Sequence, residues 1–215
     1  MKKHDLYWLL ALAVVLLLML SPWTAPTFSA WTTNHPYLMG FAKFFVLATL
    51  GELFAIRLNR GDYAMPPYLL IRAIIWGIVG LMVVYTFSLY SGGVSALMEA
   101  GLLPQAGRFW HALITSASMN LTFAPAFMAA HRISDKVLER RAEGKTGIKA
   151  AIGAIDWTHF YSFILGKTVP LFWIPAHTMT FLLPPTYRVL VAAMLSIALG
   201  LILSLTKRTK KEKTA

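Results

Sequence analysis

Residues 69–90 read LLIRAIIWGIVGLMVVYTFSLY, a run with a single charge, Arg72. At ~1.5 Å per residue an α-helix of this length extends about 33 Å, enough to cross the hydrocarbon core of a bilayer. The run therefore reads as a transmembrane helix, and the same reading spreads to both sides of it. Five more apolar segments follow the pattern: Leu6 to Trp23, Tyr37 to Ile56, Phe109 to Ala130, Trp157 to Leu183 and Val189 to Leu205. The predicted fold is all-α, a polytopic membrane helix bundle of six transmembrane helices.

Composition agrees. Hydrophobic residues make up 57% of the 215 positions and charged residues 13%, and mean hydropathy is +0.60. That is more apolar surface than one soluble core of this size buries. The formal charge of +11 would point to nucleic acid if it were spread over a groove. Instead Lys and Arg collect between apolar runs, which is how membrane proteins set orientation, and no nucleic-acid partner is expected. The connection Ser21 to Pro36 has no base and Ser91 to Arg108 has one, whereas Arg57 and Arg60 follow the second segment. Six bases lie between His131 and Asp156, and five follow Leu205. Basic connections alternate with neutral ones, so both termini are expected in the cytoplasm.

The chain divides into a signal-anchor helix with its outer connection (1–36), a membrane body (37–206) and a basic tail (207–215). Phe28-Ser29-Ala30 has a bulky residue where a signal-peptidase site wants a small one, so the first helix is read as an uncleaved anchor. The stretch His131 to Asp156 is expected to be a solvated charged loop. An interfacial helix on anionic headgroups is the alternative, since Ile133, Val137 and Leu138 make a partial apolar stripe. Pro170 and Pro175 should kink or break the fifth segment.

Ionisable groups at membrane depth demand a partner or a wet cavity. Glu52 and Arg72, near facing helix ends, are expected to pair. Lys43 is placed to snorkel outward, and Lys167, deeper in its span, ranks first as a pore or substrate-site residue. His111, Thr115, Ser118 and Thr122 share one side of the fourth helix, and Ser116 and Asn120 lie elsewhere on it. Such residues serve either interhelical hydrogen bonding or a water-lined path. Ala192, Ser196, Gly200 and Ser204 repeat a small residue every fourth position, a packing face for another helix of this chain, a second copy or a membrane partner. Gly77 and Gly80 suggest a weaker version. Tyr7, Trp8, Trp23, Tyr37 and Tyr90 fit interfacial belts. Zinc-protease, nucleophile-elbow and phosphate-loop motifs are missing from the sequence, so no enzyme and no cofactor is expected. A metal site assembled from His111, His159 and His177 is the remote alternative. With no cysteine in the chain, thiolate chemistry is excluded.

The run Trp173-Ile174-Pro175-Ala176-His177-Thr178-Met179-Thr180-Phe181, followed by Pro185 and Arg188, resembles the C-terminal signature of the peroxisomal twenty-two-kilodalton membrane protein family, which includes a mitochondrial inner-membrane channel protein. Trp173, Phe181 and Pro185 match without gaps. His177 stands where that signature has Gln and Thr180 where it has Asn; Pro175 is one place late and Arg188 one place early. Upstream, Gly51-Glu52 is similar to the family's Gly-Asp, Arg72 with Gly80 to its Arg and Gly, and Phe123-Ala124-Pro125 to its Phe-Ala-Pro, with Met119-Asn120 where the family has Asp-Gln. The resemblance covers about Phe41 to Leu205. It implies a membrane protein without enzymatic activity that forms a weakly selective channel for small solutes or metabolites. The equivalent residues here would be Glu52, Arg72, Asn120, Trp173, His177 and Arg188.

The leading expectation is such a channel, its polar lining drawn from spans two, four and five. A membrane scaffold or assembly subunit docking through span six is the second. The expected partners are anionic lipid headgroups at the basic connections, and the expected location is a bacterial cytoplasmic membrane, with a eukaryotic organelle membrane as the alternative.

Overall fold

The computed structural model describes residues 3–105 and 107–212, with side chains as far as Ala198 in the last helix. Every regular element among the described residues is helical: α1 Lys3–Leu20, α2 Ala25–Asn34, α3 Pro36–Arg60, α4 Leu69–Glu99, α5 Arg108–Thr122, α6 Ala124–Ala142, α7 Ile148–Gly153, α8 Trp157–His159, a π-helix Phe160–Trp173, α9 Ile174–Leu182 and α10 Pro185–Glu212. Proline starts many of them, with Pro26, Pro36, Pro125 and Pro175 in the first turns of α2, α3, α6 and α9. The first turn is where a missing N–H costs nothing and a fixed φ helps. α3 stops at Gly61, whose φ of 79° suits a residue without Cβ and lets its N–H reach Arg57 O.

Among the described residues, α1, α3 and α4 are long and apolar enough to cross a membrane, and the bent pair α5–α6 makes a fourth if it counts as one span. The outward faces support the same reading. The one buried residue of α1 is Trp8, and Leu10, Leu17 and Leu18 point away from the protein, as do Leu70, Ile74 and Ile78 of α4. In water such stripes would drive association; in lipid they are the solvated surface.

Three segments depart from the sequence reading. Phe109 to Ala130, expected as one helix, breaks after Thr122, and α5 and α6 diverge by 49°. Pro125 explains the break, because it cannot donate to the carbonyl four residues earlier and its ring crowds that turn. The connection His131 to Asp156 is not a loop: α6 continues to Ala142 and α7 follows. Of its apolar stripe Leu138 is buried, and so is Ala151 of α7. The segment Trp157 to Leu183 is a π-helix running into α9. Pro170 lies inside the π-helix, where bonds skip five residues, as in Ile174 N–H to Val169 O. Such helices occur mostly as single turns, and this one covers 14 residues.

The chain packs as two compact units, Met1–Val84 with Val189–Ala215, and Tyr85–Arg188. α1 belongs to the first unit. Trp8 Nε1 donates to Leu50 O of α3 at 2.9 Å, and its ring stacks on Phe54 at 4.6 Å. Trp8 is therefore a packing residue and not part of an interfacial belt; its N–H has found a carbonyl in the neighbouring helix. Arg57 donates to both carboxylate oxygens of Asp5, at 2.8 and 3.1 Å, a bidentate pair joining α1 to the end of α3.

Glycines set the closest approaches in this unit. A Cβ on Gly80 would overlap the Gly40 carbonyl, and one on Gly77 would overlap the Phe41 ring. α3 and α4 thus meet backbone to backbone. A Cβ on Gly51 would stand 2.7 Å from Ser196 Oγ and 3.2 Å from Ile197 N, so the small-residue face of α10 is used within the chain at this level. Ala192 is buried as well, while the side-chain positions of Gly200 and Ser204 lie outside the described residues.

Candidate functional site

In the second unit, α5 and α9 face each other through polar side chains. Asn120 Nδ2 donates to Ser116 O at 2.9 Å and lies 3.1 Å from His177 Nδ1. His177 Nδ1 is also 3.3 Å from Asn120 Oδ1, so the ring nitrogen accepts from the amide N–H in one tautomer and donates to the amide oxygen in the other. Ser116 Oγ reaches across to donate to Ile174 O at 2.8 Å, and Thr178 Oγ1 donates to the same carbonyl at 2.7 Å. Pro170 and Pro175 supply no backbone donor in this region, and these two hydroxyls hold a carbonyl at the start of α9.

Aromatic rings close the layer. Trp173 stacks on His177 with centroids 5.2 Å apart, Phe87 meets His177 edge-on at 5.6 Å, and Phe181 lies 4.8 Å from Phe87. Trp173 Nε1 and Thr115 Oγ1 are among the polar atoms of this unit that are buried without a hydrogen-bond partner. A buried indole N–H with no acceptor costs free energy, and such positions hold a water or a ligand atom. The arrangement offers hydrogen bonds and aromatic faces to a small polar molecule.

The end of α9 is held by two cations. Arg188 Nε donates to Leu183 O at 3.0 Å, its guanidinium 5.6 Å over the Phe181 ring, and Arg108 donates to Leu182 O. Both sit where the last carbonyls and the negative end of the helix dipole favour positive charge. Asn120, Trp173, His177, Phe181 and Arg188 are therefore brought together, and Pro185 opens the next helix. Phe123 stacks on Phe127 at 5.3 Å, and Ala124 and Pro125 sit at the bend below α5.

The polar stripe of α5 meets the second half of α4. His111 shares a hydrogen bond with Ser95 at 2.9 Å. Thr122 Oγ1 donates to Ser118 O at 2.6 Å and lies 2.7 Å from Tyr90 Oη. Interhelical hydrogen bonding thus engages His111 and Thr122, with Ser95 and Tyr90 as the partners. His159 stacks on Phe163 at 5.1 Å, so the three membrane histidines each have separate neighbours.

In the first unit Glu52 and Arg72 pair at 2.9 Å. Trp76 Nε1 donates to the second Glu52 oxygen at 3.0 Å, and Arg72 Nε to Pro67 O at 3.2 Å. Lys43 does not snorkel. It is 1% exposed, donates to Thr32 Oγ1 at 3.0 Å and sits 4.6 Å over the Phe28 ring. The reason is α2, which folds over α3 where the sequence reading had a plain connection; Pro26 at its start and the Thr32–Phe28 spacing were the available signals. Lys167, ranked first from the sequence, lies exposed on the π-helix.

Among the described residues these features are all helical, with three helices long and apolar enough to cross a bilayer, or four if the bent α5–α6 pair is one span. No family model matches the chain, and comparison with curated proteins and with solved structures finds no match either.

Proposed function

We propose that this chain is a six-span membrane protein, both termini cytoplasmic, that passes small polar solutes across a bacterial cytoplasmic membrane. α1, α3, α4, the bent α5–α6, the π-helix with α9, and α10 would be the spans. The observation that carries the transport reading is the polar layer of buried Asn120 with the half-buried His177 and Trp173, where Trp173 Nε1 is itself buried and has no partner. Broken helices with buried polar side chains at membrane depth are how membrane proteins build solute sites. The resemblance to a channel-containing family points the same way. Purified protein in liposomes, tested by osmotic swelling with polyols and sugars of increasing size, should pass the smallest. Trp173→Phe, which removes only the indole N–H and its ring, should change the rate. Absence of swelling throughout the series sinks the reading.

A second reading, a membrane scaffold without transport, is favoured by one observation: His111 and Thr122 of the α5 stripe are taken up by Ser95 and Tyr90. Unaltered partner co-purification in a Gly200→Leu variant would count against it.

A further inference from the structure

The end of α6 and the turn into α7 hold a second polar feature, separate from the α5–α9 layer. A concavity of about 100 Å3 is lined by Val137, Arg140 and Arg141 of α6, Lys145 and Thr146 of the turn, and Ala151 of α7. Gly147, at φ 100°, makes the turn possible, since a side chain there would be strained.

Charges around the concavity are unevenly matched. Arg132 and Lys136 pair with Glu139, and Lys145 with Glu143 at 2.8 Å. The hydrogen bond from Lys145 holds the Glu143 carboxyl below the usual carboxylate range, so this pair stays ionised. Among the described residues, Arg140 and Arg141 have no carboxylate within 4 Å. Arg140 Nε is also buried with no hydrogen-bond partner. A buried guanidinium nitrogen without an acceptor, beside a second guanidinium with no carboxylate partner, has hydrogen-bonding capacity that an anion can satisfy.

We propose that this pocket binds a phosphate group. Two guanidinium forks match tetrahedral oxyanions by paired N–H donors, and the Thr146 hydroxyl and Lys145 ammonium add donors on the turn side. Val137 and Ala151 form an apolar wall. The volume lies below the ~300 Å3 of ordinary small-molecule pockets, so it admits one phosphoryl group and not a nucleotide. Such a group can come from free inorganic phosphate or from the phosphomonoester headgroup of an anionic lipid. Neither source depends on the transport reading.

The test uses the full chain purified in detergent. Inorganic phosphate binding is measured by calorimetry, and phosphatidic acid against phosphatidylcholine by native mass spectrometry. The site predicts binding of phosphate, of phosphatidic acid, or of both, weakened at least about tenfold in R140Q/R141Q, as loss of charge-assisted bonds implies. In R132Q/K149Q, which removes equal charge outside the pocket, it should change less than about twofold. Phosphate alone binding identifies the free ion and phosphatidic acid alone the headgroup, and both support the site. No preference for either ligand in the wild type, a loss below tenfold in R140Q/R141Q, or equal loss in both variants overturns it. If R140Q/R141Q does not fold, phenylglyoxal modification decides in the wild type: phosphate or phosphatidic acid should shield Arg140 and Arg141 but not Arg132, and lack of selective shielding by either overturns it.

Discussion

Asn120 on α5 and His177 on α9 hold each other, with amide nitrogen and ring nitrogen 3.1 Å apart, and Ser116 ties the same two helices by donating to Ile174 O. Removing one partner leaves the other buried and unpaired, which costs about 1–3 kcal/mol. His177→Leu should lower thermal stability in detergent by that amount. His177→Gln, whose amide still reaches a hydrogen-bond partner, should cost less. Equal losses for the two would mean that ring packing on Trp173 and Phe87, not the hydrogen bond, holds the contact.

The Glu52–Arg72 pair follows a harsher rule because both groups are charged. Glu52→Leu leaves Arg72 buried without its carboxylate, a loss of about 3–5 kcal/mol. Glu52→Leu combined with Arg72→Met should recover much of it, since an apolar pair of similar size avoids the desolvation. Denaturant titration of the single and double variants gives the coupling. Additive losses would contradict a direct pair.

Lys43 makes the opposite prediction. Its ammonium is buried against Thr32 and Phe28, with Thr32 Oγ1 its hydrogen-bond partner, so an apolar side chain of similar length relieves a desolvation cost. Lys43→Met should melt no lower than the wild type. A fall of several degrees would show that the charge is used, by a water or an anion beneath α2.

Orientation can be read directly because the chain has no cysteine, so each introduced thiol reports alone. Asp62→Cys and Thr146→Cys should react with an impermeant maleimide only after the membrane is opened from the cytoplasmic side. Leu102→Cys should react in intact cells. Labelling of all three in intact cells would refute the proposed sidedness.

Much of this was legible in the sequence because it depends on spacing along one helix. The run 69–90 gave the helix, the positions of Glu52 and Arg72 near facing ends gave their pair, and the four-residue repeat through Ala192 and Ser196 gave a packing face. What stayed hidden depends on neighbours distant in sequence. Lys43 is buried because α2 lies over it, and Trp8 because Leu50 offers a carbonyl, and neither shows in hydropathy. The prolines of the fifth segment point to a kink or break but not to a π-helix, because hydrogen-bond register is not written in composition, and the bend at Pro125 is masked by the continuous apolar run around it.

The central claim is that a buried polar layer serves solute passage, and flux through the purified protein in liposomes tests it most directly. The account predicts size-limited swelling in wild-type vesicles, altered by Trp173→Phe and by Asn120→Leu but unchanged by Lys167→Ala. Vesicles that stay impermeable to every solute, or a flux abolished by Lys167→Ala and indifferent to Trp173 and Asn120, would contradict it.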